Sequence, residues 1–128
     1  MDLLIKSGFV VDPASKLDGL FDILIKDGKI KAIAPRLESK GTIIEAQGMH
    51  VLPGLIDMHC HLRDPGDPEE ETIYSGTRSA AKGGFTSIAS MANTSPAIDN
   101  PSMIKYIISK AQTEGVVNVF PIGAVTKN

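Results

Sequence analysis

Leu52-Pro53-Gly54-Leu55-Ile56-Asp57-Met58-His59-Cys60-His61-Leu62-Arg63-Asp64-Pro65-Gly66 is the stretch on which the fold turns. Its first half is a short apolar run entered through Pro-Gly, and it reads as a buried strand. Side chains on a strand alternate between faces, so His59 and His61 point the same way from its end. Two imidazoles aimed together are the beginning of a catalytic metal site, with zinc first among the divalent transition metals that imidazole suits. Two structural histidines, one buried and one solvated, are the plainer alternative; the Arg-Asp-Pro-Gly turn that follows favours ligation. Arg63 keeps the parity of the pair if the chain stays extended, which sets a fixed cation beside the metal. It is either a surface charge or, as its position favours, a bidentate carboxylate clamp that lysine could not reproduce. Metal plus guanidinium describes a site for an anionic substrate whose carbonyl is to be polarised.

The neighbours of these residues have humbler expectations. Asp64 is expected to fix the Pro65-Gly66 turn through side-chain-to-backbone bonds rather than act as a base. Asp57 shares parity with His59, and either orients it from behind or serves the strand. Cys60 has the opposite parity and should pack as a small hydrophobe, away from the metal. His50 reads as an ordinary strand residue.

Upstream, residues 2–51 read as short strands with turns between them. Leu3-Leu4-Ile5 and Phe9-Val10-Val11 flank Lys6-Ser7-Gly8. Phe21–Ile25 and Ile30–Ala34 flank Lys26-Asp27-Gly28-Lys29, where Asp-Gly is a strong hairpin signal. Thr42–Ala46 and Met49–Leu52 add two more. Residues 1–52 are therefore expected to be an all-β, hairpin-rich domain.

Downstream, strands alternate with helical patterns, the mark of βαβ units and a parallel sheet. Strand Leu55–His59 leads to a helix near Pro68–Lys82, with Asp67 as N-cap, Pro68 at N1 and Glu69-Glu70-Glu71 in its first turn. Gly83-Gly84 ends it. Phe85–Met91 is the second strand, and Asn93 follows it at the same end as the histidine pair. There its amide could both donate to and accept from a substrate; a turn asparagine is the bland reading. Asn100 caps a helix from Pro101 whose Met103, Ile104, Ile107, Ile108 and Ala111 form one buried face, with Gly115 as C′ residue. Val116–Ile122 is a third buried strand. Residues 53–128 thus resemble the first βα units of a TIM-type (β/α)8 barrel, a fold of about 250 residues. Unpaired strand edges make a truncated chain the expectation.

Composition excludes several classes. The 42% hydrophobic and 22% charged residues are ordinary for a globular protein, and a formal charge of −2 provides no footprint for nucleic acid. No apolar run approaches the roughly 20 residues needed to span a bilayer. Cys60 is the only cysteine, so no internal disulfide forms and a reducing cytoplasm fits. No phosphate-cradling glycine loop and no Ser/His/Asp set is present.

At these residues the chain resembles the amidohydrolase superfamily and, within it, the dihydroorotases, over all 128 residues. Pro53–His61 is similar to the superfamily's first barrel strand with its metal-binding His-x-His. Leu62-Arg63-Asp64-Pro65-Gly66 narrows the likeness, because hydantoinases and allantoinases usually carry other residues there. Ala81–Thr86, Asn93–Asn100 and Gly123–Lys127 continue it. One departure is Ala92, where the subgroup usually has proline. The resemblance implies a small β-sandwich domain at the start, and His59 and His61 as ligands of one zinc in a centre of one or two ions. It implies Arg63 and Asn93 as holders of the substrate's carboxylate, with the bridging carboxylate, later histidines and general base beyond Asn128. The implied reaction is the reversible cyclisation of N-carbamoyl-L-aspartate to L-dihydroorotate in pyrimidine biosynthesis. The full-length parent would then be a cytoplasmic hydrolase, as a homo-oligomer or with another pyrimidine enzyme, and these residues alone would be inactive. The alternatives are another cyclic-amide hydrolase of the superfamily, a non-catalytic homologue serving in assembly, and a small autonomous binding module.

Overall fold

The computed structural model describes residues 2–127. Met1 and Asn128, at the outer ends of the two expected domains, lie outside the described residues. The chain divides into two compact units, Met1–Pro53 and Gly54–Asn128.

The first unit holds β1 (Asp2–Asp12), β2 (Leu17–Lys26), β3 (Lys29–Ala34), β4 (Thr42–Glu45) and β5 (His50–Val51). They form one mixed sheet in the order β3-β2-β1-β4, with β5 also on β1. The first three strands run antiparallel, whereas β4 and β5 run parallel to β1. Asp27 and Gly28 both have positive φ, 50° and 72°, as the tightest hairpin turns require. The two strands expected at Leu3–Ile5 and Phe9–Val11 are one. A bulge between Ile5 and Gly8 absorbs the polar residues, with Ser7 at φ 59°. The buried Asp22 carboxylate makes this affordable. One oxygen accepts the Ser7 N–H at 2.7 Å, and the other accepts the Leu37 N–H at 2.9 Å. Leu4, Val10, Ile23 and Ala46 are the buried apolar residues of this unit.

The second unit holds β6 (Leu55–Cys60), α1 (Ile73–Lys82), β7 (Phe85–Ser90), α2 (Pro101–Glu114) and β8 (Asn118–Pro121). The strands form a parallel sheet in the order β6-β7-β8. Both helices pack on one face, over a core of Leu62, Ile73, Ile88, Ile98 and Ile107. The expectation that β6 and β8 are buried strands fails. Ile56 is 67% exposed, Met58 78% and Phe120 59%. Each of these strands has one neighbour, and their face away from the helices carries no covering layer among the described residues.

Helix α1 starts later than expected. Thr72, in extended conformation, is its N-cap and forms a capping box with Ser75. Asp67 caps only an isolated turn, accepting the Glu70 N–H at 3.3 Å. Glu69-Glu70-Glu71 therefore precede the helix instead of lining its first turn. Asn100 caps α2 as expected, accepting from Ser102 and Met103, and Pro101 opens the helix. Gly115 is not a left-handed C′ residue: its φ is −74° and its ψ 145°. Glycine is needed there for room, since a Cβ would sit 2.6 Å from the Ala111 carbonyl oxygen. Of the expected apolar face of α2, Ile107 is buried while Ile108 is exposed.

Candidate metal and substrate site

β6 does not run straight into the histidines. Asp57 pairs with Ile88 and Cys60 with Ser90, so β6 spends one residue more than β7 over this interval. This is a β-bulge at Met58-His59, the kind of kink that re-aims side chains. Asp57 Oδ1 accepts the His59 backbone N–H at 2.9 Å and so holds the bulge. The bulge also breaks the expected parity. Cys60, not His59, shares the helix-facing side with Asp57, and the Asp57 carboxylate acts on the backbone of His59. Cys60 packs against the core as expected, with Sγ donating to the Ala89 carbonyl at 3.4 Å. Burial, and then the nearby Asp57 and Glu71 carboxylates, push its thiol pKa up.

His59 and His61 emerge exposed at the C-terminal end of β6, their ring centroids 5.3 Å apart and their planes at 61°. Asn93, in the loop after β7, joins them: its Oδ1 lies 2.8 Å from His61 Nδ1. An amide oxygen only accepts, so Nδ1 carries the proton and donates. Nε2 of the neutral ring keeps its lone pair for a metal. The loops carrying these residues touch elsewhere too. The Ser95 N–H donates to the Pro65 carbonyl at 3.2 Å. Gly66, at φ 133°, leaves no room for a side chain, since a Cβ would stand 3.0 Å from the Ser95 backbone.

Arg63 has a carboxylate partner within this chain. The strand ends at Cys60, yet burial goes on alternating, with His61 and Arg63 exposed and Leu62 and Asp64 buried, and the Arg63 carbonyl accepts the Asp67 N–H at 2.7 Å to close a turn. The Arg63 Nε pairs with Glu70 Oε2 at 3.2 Å, on an exposed surface. Asp64 does more than fix a turn. It is 4% exposed, takes the Lys110 ammonium at 2.5 Å and the Tyr106 hydroxyl at 3.0 Å, and receives a long bond, 3.5 Å, from the Ile73 N–H. The Asp64 hydrogen bond raises the Lys110 pKa above its ordinary value. Glu70 was expected only as part of a helical first turn, and Tyr106 and Lys110 were not singled out by sequence. For the last two the signal was a polar pair four residues apart beside the apolar Met103 and Ile107 on α2.

Two imidazoles suit a divalent transition metal, but among the described residues no group of three or more His, Cys, Asp or Glu is placed to hold one. A cleft of about 280 Å³ borders His61, between Asp57, Cys60 and Leu62 on one side and Glu71 and Gly76 on the other. A larger cleft, about 750 Å³, is lined by none of the site residues. No helix among the described residues is long and apolar enough to cross a membrane.

A sequence model of the dihydro-orotase-like family matches residues 48–128. The chain belongs to the dihydroorotase-like family. The dihydroorotase of Ruminiclostridium cellulolyticum is 56% identical over 128 residues, and that of Acetivibrio thermocellus 57% over 126. These alignments cover 99% and 98% of this chain but only 30% of each relative, so the chain spans about a third of their length. Among solved structures, the L-hydantoinase of Arthrobacter aurescens superimposes with a TM-score of 0.81 at 30% identity, over 95% of this chain and 27% of that one. The dihydropyrimidinase of Brevibacillus agri gives 0.82 at 31%, over 100% and 28%. The hydantoinase-type neighbours fit the same superfamily, while the higher identities belong to dihydroorotases.

Proposed function

We propose that these residues are the opening part of a dihydroorotase, which interconverts N-carbamoyl-L-aspartate and L-dihydroorotate in pyrimidine biosynthesis. The observation that carries the reading is the joining of His59, His61 and Asn93 at the C-terminal ends of two adjacent parallel strands, two residues before Arg63. That is the end at which (β/α)8 barrels place their active sites. In this reading β6, α1, β7, α2 and β8 open such a barrel, and the preceding sheet is part of a small sandwich domain. The dihydroorotase names of relatives at 56% and 57% identity support the substrate choice.

His59 and His61 would hold one zinc ion, with the other ligands and the general base supplied from outside these residues. Zinc bound there supplies Lewis acidity toward the ring carbonyl and activates water. The chain's own residues do the rest by position. Asn93 fixes the His61 ring through Oδ1, and its NH₂ group remains to donate to a substrate carboxylate. Glu70 engages Arg63 at Nε, which leaves the terminal guanidinium nitrogens as a fork for the same carboxylate. A substrate lacking that carboxylate has no use for the fork. The enzyme would work on this small molecule in the cytoplasm, as a homo-oligomer or beside another pyrimidine enzyme.

Replacing Arg63 by methionine in the full-length protein tests the reading. Turnover of dihydroorotate should fall by at least tenfold, about 1.4 kcal/mol of lost transition-state binding. Unaltered turnover would favour a hydantoin- or dihydropyrimidine-type substrate.

A further inference from the structure

Arg63 sits between two locked residues. Leu62 is 5% exposed and part of the core, and Asp64 is 4% exposed. The Arg63 carbonyl accepts the Asp67 N–H, so its backbone is held between these residues while its side chain is half-exposed. The lock at Asp64 is unusual in its reach. Its carboxylate collects Lys110 and Tyr106 from α2, and the Ile73 N–H from the start of α1. A buried carboxylate with these partners ties the loop after β6 to both helices.

We propose that Asp64 is a positioning residue for Arg63, with Tyr106 and Lys110 as its anchors, so that α2 sets where the guanidinium meets a substrate carboxylate. This rests on the reading of Arg63 as the carboxylate clamp. A displacement of the Arg63 backbone by 1 Å would spoil a bidentate contact while leaving His59 and His61 in place, because they belong to the β6 bulge and the Asn93 contact instead. The anchors therefore act on substrate binding and not on the metal pair.

The experiment is a double-mutant cycle on the full-length enzyme, measuring KM and kcat for L-dihydroorotate. Asp64→Asn should raise KM about tenfold with kcat changed less than about twofold. On an Arg63→Met background the same substitution should change KM little, because the group it positions is gone. A purely structural role predicts equal losses in both backgrounds, or a fall in kcat at constant KM, and either result overturns the proposal. If Arg63→Met leaves KM and kcat unaltered, the clamp reading itself falls and takes the proposal with it. If Arg63→Met raises KM and Asp64→Asn does not, the positioning alone falls. Tyr106→Phe covers the case in which Asp64→Asn fails to fold. It removes one hydroxyl from a half-exposed ring and should raise KM about threefold, in keeping with one hydrogen bond. An unaltered KM in Tyr106→Phe overturns the proposal as well.

Discussion

The imidazole of His61 and the amide of Asn93 meet at 2.8 Å although 32 residues separate them in sequence. The bond joins the loop after β6 to the loop after β7 and decides which nitrogen of His61 holds the proton. A ligating histidine is usually oriented in this way, and loss of the orienting partner typically costs 10–100-fold in metal affinity. Asn93→Leu in the full-length protein should therefore weaken zinc binding by about 10–100-fold, read by competition with a chelator. Asn93→Asp, which keeps an acceptor, should retain most of it. The 128-residue chain alone should lose its zinc on dialysis, since two imidazoles do not close a site; stoichiometric retention would contradict this.

Asp22 holds the first unit together at the Ser7 bulge. Asp22→Ala would orphan two backbone donors and should destabilise this unit by about 2–3 kcal/mol in urea unfolding. The same bonds, from Ser7 and then Leu37, hold the carboxyl pKa below its ordinary 3.8. A lowered folded-state pKa means that this stabilisation is fully present above pH 3.8 and is lost as pH falls through the lower folded value. Asp22→Asn should flatten that acid limb.

Lys110 behaves in the opposite sense. Its partner Asp64 raises its pKa above 10.5, so the stabilisation persists up to that pH and is lost as pH rises through the higher folded value. An alkaline titration of stability should show this limb in the wild-type protein and not in Lys110→Met. That variant should also be less stable at neutral pH by about 1–3 kcal/mol, because the buried Asp64 carboxylate loses its countercharge.

Gly66→Ala should damage the site without touching any of its polar residues. The substitution forces a Cβ onto a left-handed backbone and against Ser95, at a cost of about 1–3 kcal/mol. The 93–96 loop must then move, so zinc affinity and dihydroorotate binding should fall together in the full-length protein.

Local chemistry made some of this legible in advance. Asp27-Gly28 announces its turn, Asn100-Pro101 announces a helix, and His-x-His at the end of an apolar run announces a paired site. What stayed hidden depends on partners distant in sequence. Thr72 and Asp67 are both good caps, and the choice between them is made where α1 meets the core rather than in the local sequence. Asp64 looks like any turn aspartate until α2, some forty residues on, brings Tyr106 and Lys110 to it. The apolar residues of β6 and β8 suggested burial, but an apolar pattern says what a strand can cover and not what covers it. Arg63 was placed by an alternation that its exposure still follows, but its partner Glu70, seven residues on, was not legible in that alternation.

The bulge in β6 turns strand register into a chemical requirement. Were the bulge ironed out with every residue kept, β6 and β7 would pair in simple step from Asp57, and His59 would take the place that Cys60 holds against Ser90. An imidazole would then face the oily side under the helices, and the thiol would face the water. Every residue of the motif would be kept, and the loss of the bulge alone would still unmake it. In this strand the register is a functional group.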